Sequence, residues 1–363
     1  MNFAFDEDQG RLRDSAVRFL RDRVDLSRIT GQGNRPDTRY DPALWRDIVA
    51  LGWPGLLIPE EYGGSGLTLV DWIVINEELG RSLAPCPYLG TYAGTLALLR
   101  AGSAEQKERL LPGVASGVVR FALACDDTER PDDATRIDAH GAVHGTKRYV
   151  IDADDASHFV TTARDSNGSL GLYVVERDRP GVTVDVLDWI DVTRRVGTVT
   201  FDGARGERLP ADFDASWRWI VDRVLLALSA ENAGGAEAIL SRTVDYAKQR
   251  IQFGKPIASY QAIKHKCADM LMKVESAKAL TYYCAWALAG NEAVGPLSAA
   301  MAKSFTSDAY RFCTGEAIQI HGAIGFTWEM PVHLYFKRAR ANAVMFGAPA
   351  VHRDRVIDLV AAA

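Results

Sequence analysis

Cysteine is sparse in this 363-residue chain. There are five, at Cys86, Cys125, Cys267, Cys284 and Cys313, odd in number and without CxxC spacing. That argues against a disulfide framework and a structural zinc site, and it fits reduced thiols in a cytoplasmic protein. No apolar run approaches the roughly 18–20 residues needed to span a bilayer. The first residues, MNFAFDEDQGRLRDSAVRFL, are amphipathic and acidic early, unlike a secretory signal. Excess positive charge is missing as well. Forty-two Lys and Arg against 47 Asp and Glu leave a net charge of -5, so neither nucleic acid nor an anionic membrane is an expected partner. No GxGxxG follows a strand, and there is no GxxxxGK loop, no HExxH and no GxSxG. A Rossmann dinucleotide site, a P-loop, a zinc protease helix and a hydrolase elbow are therefore unsupported, and no metal is expected.

What is present changes texture twice. From Met1 to about Gly117 apolar residues recur at helical spacing, over Phe5–Arg23, Pro42–Leu51, Thr68–Ser82, Tyr92–Ala101 and Ser103–Gly117. Ser103 with Gln106 three residues on reads as a capping box. LIPEEYGGSGLT, with Pro59, Gly63, Gly64 and Gly66, reads as a loop. From about Val118 to Pro210 the period switches to two, predicting six or seven short antiparallel strands. From about Phe213 helices return, over Trp217–Arg250, Tyr260–Ala289, Pro296–His321, Val332–Asn342 and Pro349–Ala363. The expected architecture is α+β: a helical domain over 1–117, a β-barrel-like domain over 118–210, and a C-terminal four-helix bundle over 211–363.

Several segments, in order, resemble the acyl-CoA dehydrogenase flavoprotein family: LGWPGLLIPEEYGGSG, EELGRSLAP, GTKRYVIDADDASHFVTTAR, DVTRRVGTVTFDG, YAKQRIQFGKPIASYQAIKHKCADM and IQIHGAIGFTWE. The resemblance spans essentially the whole chain and implies FAD as cofactor. Arg250 stands near a helix C-terminus beside a Gly/Pro turn. It can complement its own helix end or grip a diphosphate with its planar fork. By resemblance Arg250, Gln252 and Phe253 contact the FAD of a neighbouring subunit, so an oligomer is implied. Gln319, His321, Gly322 and Ala323 are similar to the segment that holds the adenosine and diphosphate end of FAD. Gln261 and His265 share a helix face and suit either the cofactor or a subunit interface. Tyr149 falls where the family often sets an aromatic beside the flavin. Ile151 stands where many members carry a Thr, and the family's Gly- and Ser-rich flavin loop reads ALACDDTERPDD, without glycine.

The family's reaction takes an α-proton onto a carboxylate while the β-hydrogen leaves as hydride to the flavin. An α-proton of a thioester is weakly acidic, so a base within hydrogen-bond reach is needed. In most members a Glu precedes a glycine after an arginine-rich helix. Here the glycine is Gly347 and Phe346 precedes it. In others the base lies on the first long C-terminal helix, and that position falls near Val224. The nearest acids on that helix are Asp222 and Glu231. Glu231, on an otherwise apolar stretch two turns from Val224, is the candidate relocated base, with a carboxylate paired to a neighbour as the alternative. Three functions follow: the base-poor subunit of a heteromeric acyl-CoA dehydrogenase with a base-bearing homologue, a stand-alone dehydrogenase using Glu231, or other flavin chemistry on the same fold. The resemblance implies an acyl-CoA substrate from fatty acid or steroid side-chain breakdown, an electron-transfer flavoprotein as electron acceptor, and a dimer or tetramer.

Overall fold

The structure, a computed structural model, describes residues 6–31, 40–125 and 134–362. Residues 126–133 of the glycine-free segment lie outside the described residues, as do Phe5 and Ala363.

The first helices begin where short polar side chains satisfy the free N–H groups of an opening turn. Asp6 caps α1 (Glu7–Arg23), and Gln9 closes a capping box. A short α2 (Ser27–Thr30) precedes α3 (Pro42–Ala50), which opens on Asp41 and Pro42. Thr68 and Asp71 form the box of α4 (Leu69–Ser82). Between them and α6 (Ala104–Ala115), with its Ser103–Gln106 box, runs α5 (Tyr88–Ala101). It starts one turn earlier than the apolar pattern suggests. It is buried on nearly every side, so packing rather than amphipathicity sets its first turn.

Eight strands follow: β1 (Phe121–Ala124), β2 (Arg136–Ile137), β3 (Ala142–Ile151), β4 (His158–Arg164), β5 (Leu170–Glu176), β6 (Val182–Val186), β7 (Val196–Arg205) and β8 (Glu207–Leu209). They form one sheet in the order β6-β7-β3-β2-β4-β5-β8, with β1 also beside β4. The strand count exceeds the expected six or seven, because a two-residue strand such as β2 shows no readable alternation. The sheet is not wholly antiparallel, since β1 and β2 run parallel to β4. Nor does it close as a barrel: among the described residues it ends at β6 and β8.

The 37-residue α7 (Phe213–Gln249) opens on Asp212, whose carboxylate accepts from the Ala215 N–H. Its middle, from Asp222 to Ala236, is buried on all faces. α4 crosses it closely at two glycines. A Cβ on Gly80 would meet the Glu231 carbonyl oxygen at 2.3 Å, and one on Gly234 would meet that of Glu77 at 1.9 Å. A hairpin of β9 (Ile251–Gln252) and β10 (Lys255–Pro256) leads to α8 (Gln261–Ala289), α9 (Gly295–His321), α10 (Val332–Val344) and α11 (Pro349–Ala361). α7 to α10 pack as the bundle, with α11 laid on α9. No described helix is long and apolar enough to cross a membrane.

Candidate active site

Where the sheet meets the helices, the chain encloses a cavity of about 410 Å³. α5 supplies Leu89, Gly90 and Ala93, and α7 supplies Val224. The end of α10 and its following turn supply Val344, Met345 and Phe346. β3 supplies Arg148, Tyr149 and Ile151, and Leu123, Cys125 and Trp189 complete the lining. A bulge aims β3 at this space. Lys147 pairs with Val199 and Val150 with Gly197, so two residues, Arg148 and Tyr149, stand opposite one. Bulges of this kind redirect side chains beside functional sites. Tyr149 takes a left-handed φ of 54° there.

Phe346 is left-handed too, at φ 54°, and Gly347 follows at φ 102°. Holding a bulky residue in that region costs on the order of 1–3 kcal/mol, so the turn must be over-determined by its surroundings. His352 Nε2 donates to the Phe346 carbonyl at 2.9 Å, and Lys303 Nζ donates to the Gly347 carbonyl at 3.3 Å. Burial pushes His352 down to about 4. Its ring is therefore neutral near pH 7, with the proton on the nitrogen that faces the carbonyl. Among the described residues nothing accepts from the Phe346 N–H.

Among the described residues no acid lines the cavity. Val224 and Phe346, the two places where the resemblance would put a base, both line it, and Arg148 carries the one formal charge among the described lining residues. Glu231 does not line it. It is 5% exposed, yet its setting is ionic rather than apolar. Arg194 Nη2 meets both carboxylate oxygens at 2.7 Å, Asn342 Nδ2 donates at 3.3 Å, and Arg338 stands at 3.8 Å. The apolar surroundings expected for Glu231 are thus replaced by a bidentate pair with a residue 37 positions earlier. Asp222 is likewise paired, with Arg355 at 2.6 Å.

One buried acid beside the cavity escaped the sequence reading. Asp152, next to Ile151, is 1% exposed. Its carboxylate accepts from the Gly90 N–H at 2.8 Å and from the Tyr40 hydroxyl. Burial raises it to about 7, against the lowering by Arg194, Tyr40 and the Gly90 N–H. No motif marks it, because its partners lie 62 and 112 residues away. Arg148 and Trp189 were missed for a related reason, since neither the bulge nor the loop fold is written in local periodicity.

The remaining sequence candidates sit outside the cavity. Arg250 ends α7, and Gln252 and Phe253 form the hairpin tip. All three are exposed, Phe253 at 93% with φ 51°. Gln261 and His265 are exposed in the first turns of α8. Gln319, Gly322 and Ala323 are exposed where α9 ends, whereas His321 is buried. Tyr246 links these two groups. Its ring stacks on His321 at 4.2 Å and its hydroxyl donates to the His321 carbonyl at 3.3 Å. The C-terminal ends of α7 and α9 therefore share one end of the bundle. His321 Nδ1 lies 2.7 Å from the Ala317 carbonyl. Its Nε2 is buried without a hydrogen-bond partner, as is Trp189 Nε1 in the cavity wall.

Comparison with known proteins places this geometry. The descriptions "Acyl-CoA dehydrogenase, N-terminal domain" and "Acyl-CoA dehydrogenase, C-terminal domain" match residues 6–118 and 221–360. Acyl-CoA dehydrogenase IpdE2 of Mycolicibacterium smegmatis is 36% identical over 313 residues, covering 85% of each chain. A solved structure of the Tcur3481-Tcur3483 steroid ACAD superposes with a TM-score of 0.88 at 29% identity, over 98% of both chains. The ChsE4-ChsE5 complex from Mycobacterium tuberculosis gives a TM-score of 0.89 at 26% identity, over 99% of both chains. With both ends of the chain matched and the intervening sheet superposed, this protein belongs to the acyl-CoA dehydrogenase family, FAD-dependent oxidoreductases.

Proposed function

We propose that this chain is the base-lacking subunit of a heteromeric FAD-dependent acyl-CoA dehydrogenase, which forms an α,β double bond in an acyl-CoA thioester. The observation that carries this reading is the cavity wall: Val224 and Phe346 both line it, and no acid does among the described residues. Proton removal needs a base within reach. Phe346 has none to offer, and Glu231 is committed to Arg194. The donor side of the site is kept. The unpaired Phe346 N–H is suited to polarise a thioester oxygen, which matters most where charge develops in a water-poor space.

FAD, when bound, supplies the hydride acceptor. The residues fit it. Tyr149, Trp189 and Ile151 offer a largely apolar wall to a ring system, and Trp189 Nε1 is a buried donor lacking an acceptor. Burial lowers the His321 pKa, so the ring is neutral. Its Nδ1–H is used by the Ala317 carbonyl, which leaves Nε2 as a buried acceptor. Gly322 has nothing within 4 Å of a Cβ position, so a ligand can approach its backbone. The exposed Arg250, Gln252 and Phe253 point this reading outward, to the cofactor of a neighbouring chain. Likeness to structures named for two chains, one of them a steroid ACAD, supports a hetero-oligomer acting on a steroid-derived acyl-CoA, and likeness to a structure titled for an electron transferring flavoprotein supports such a protein as the electron acceptor.

The test is to purify the chain alone and with a co-expressed homologue that carries Glu before the equivalent glycine. Alone, the preparation is expected to be colourless, or yellow but not bleached by acyl-CoA. Co-expressed, it should be yellow and bleached. Bleaching of the chain by itself would overturn the base-lacking reading.

A further inference from the structure

We propose that Lys303 is a positioning residue for this reaction, holding the turn that presents the Phe346 N–H to the thioester; the inference rests on the reading of that N–H given above. Lys303 lies in the middle of α9 and is 0% exposed. A buried ammonium normally demands a carboxylate partner. Here the partners are neutral oxygens: the Asn342 carbonyl at 3.0 Å, the Ala343 and Gly347 carbonyls at 3.3 Å each, and Ser307 Oγ at 3.3 Å. An ammonium has three hydrogens, so these acceptors saturate it.

The placement of those oxygens explains why the charge is tolerated and what it does. Asn342 and Ala343 stand in the last turn of α10, where free carbonyls and the negative end of the helix dipole favour a cation. Gly347 lies just beyond Phe346. One ammonium therefore ties the chain before and after the segment from Val344 to Phe346. Burial lowers Lys303 to about 8, which leaves it charged at neutral pH. His352 grips the Phe346 carbonyl from α11. Within the turn, the Met345 N–H donates to Ala341 and the Gly347 N–H to Val344. The Phe346 N–H is thus the donor left over, on a residue that lines the cavity. Without the tie, His352 and the Gly347 N–H alone hold the turn against the left-handed strain at Phe346, and the Phe346 N–H is freer to swing away.

The test uses the full chain loaded with FAD, with its partner chain where it assembles with one. Hexanoyl-CoA labelled with carbon-13 at the thioester carbonyl is the probe, and its infrared carbonyl stretch is compared bound and free. In the wild type the stretch is expected to move down on binding. Lys303→Met should lose most of that downshift in protein that remains folded. A merely structural lysine would lower the melting temperature without moving the frequency, so a folded Lys303→Met protein with the full downshift overturns the proposal. If that variant does not fold, Lys303→Gln removes the charge and keeps only a shorter donor toward the same carbonyls. Partial loss of the downshift there supports the clamp, and full retention overturns it. A wild type that binds the probe with no downshift overturns the reading of the Phe346 N–H itself, and the inference with it.

Discussion

Phe346 and Val224 were readable because each is fixed by counting along the chain from a motif, Gly347 after the arginine-rich helix and Arg250 at the end of α7. What surrounds Glu231 was not readable. Its apolar neighbours in sequence say nothing of Arg194, which arrives from the connection between β6 and β7. On the base-lacking reading proposed above, a single exchange at Phe346 can supply the base. Phe346→Glu keeps the turn, because His352 and Lys303 hold backbone carbonyls and not the ring. The new carboxylate would face Val224, Ile151 and Leu123, and desolvation would raise its pKa toward the range useful to a general base. FAD-loaded Phe346→Glu is therefore expected to be bleached anaerobically by an acyl-CoA that leaves the wild-type chain unbleached. An unreactive variant that retains FAD would show that more than the base is absent.

Elements were legible where local chemistry ends them. Ser103 and Gln106 close the box that opens α6, and Pro256 and Gly254 break the chain between α7 and α8. α7 begins at Phe213 rather than Trp217 because Asp212 caps it, a signal the apolar pattern obscured. The parallel pairing of β1 and β2 with β4 is a long-range choice, and no strand announces it in its own residues. The β9–β10 hairpin makes the clearest prediction at this scale. Phe253 is held within its own chain by little more than an edge contact with Tyr260, ring centroids 6.5 Å apart. Exposed substitutions of this kind shift stability by within about 0.5 kcal/mol. Phe253→Ala should leave the melting temperature of the cofactor-free chain unchanged while the assembled protein loses FAD during gel filtration. Unaltered retention would mean that the hairpin does not reach a neighbour's cofactor.

At the scale of the molecule, two groups of buried charges sit on seams between sections. Arg194, Asp191 and Thr193, from the connection between β6 and β7, bind Glu231 of α7 and Arg338 and Asn342 of α10. Asp152, after β3, binds Gly90 of α5 and Tyr40 ahead of α3. The net charge of -5 conceals this arrangement, because partners 37 to 148 residues apart leave no pattern in a sequence. The seam at Asp152 makes stability depend on pH. The groups facing it are Arg194, Tyr40, the Gly90 N–H and Asp155, and burial outweighs them, raising the carboxyl to about 7. An unfolded Asp titrates near 3.9. Between about pH 4 and 7 the folded chain therefore holds a proton that the unfolded chain has released, so this group's contribution is full below that window and declines through it, by up to ~1.4 kcal/mol per pH unit. Asp152→Asn cannot ionise and has no such decline. Urea unfolding at several values between about pH 5 and 8 should show the variant gaining on the wild type as pH rises, with the difference levelling off once Asp152 is ionised in both states. Parallel stability profiles across that range would show that the seam carries its carboxylate ionised throughout.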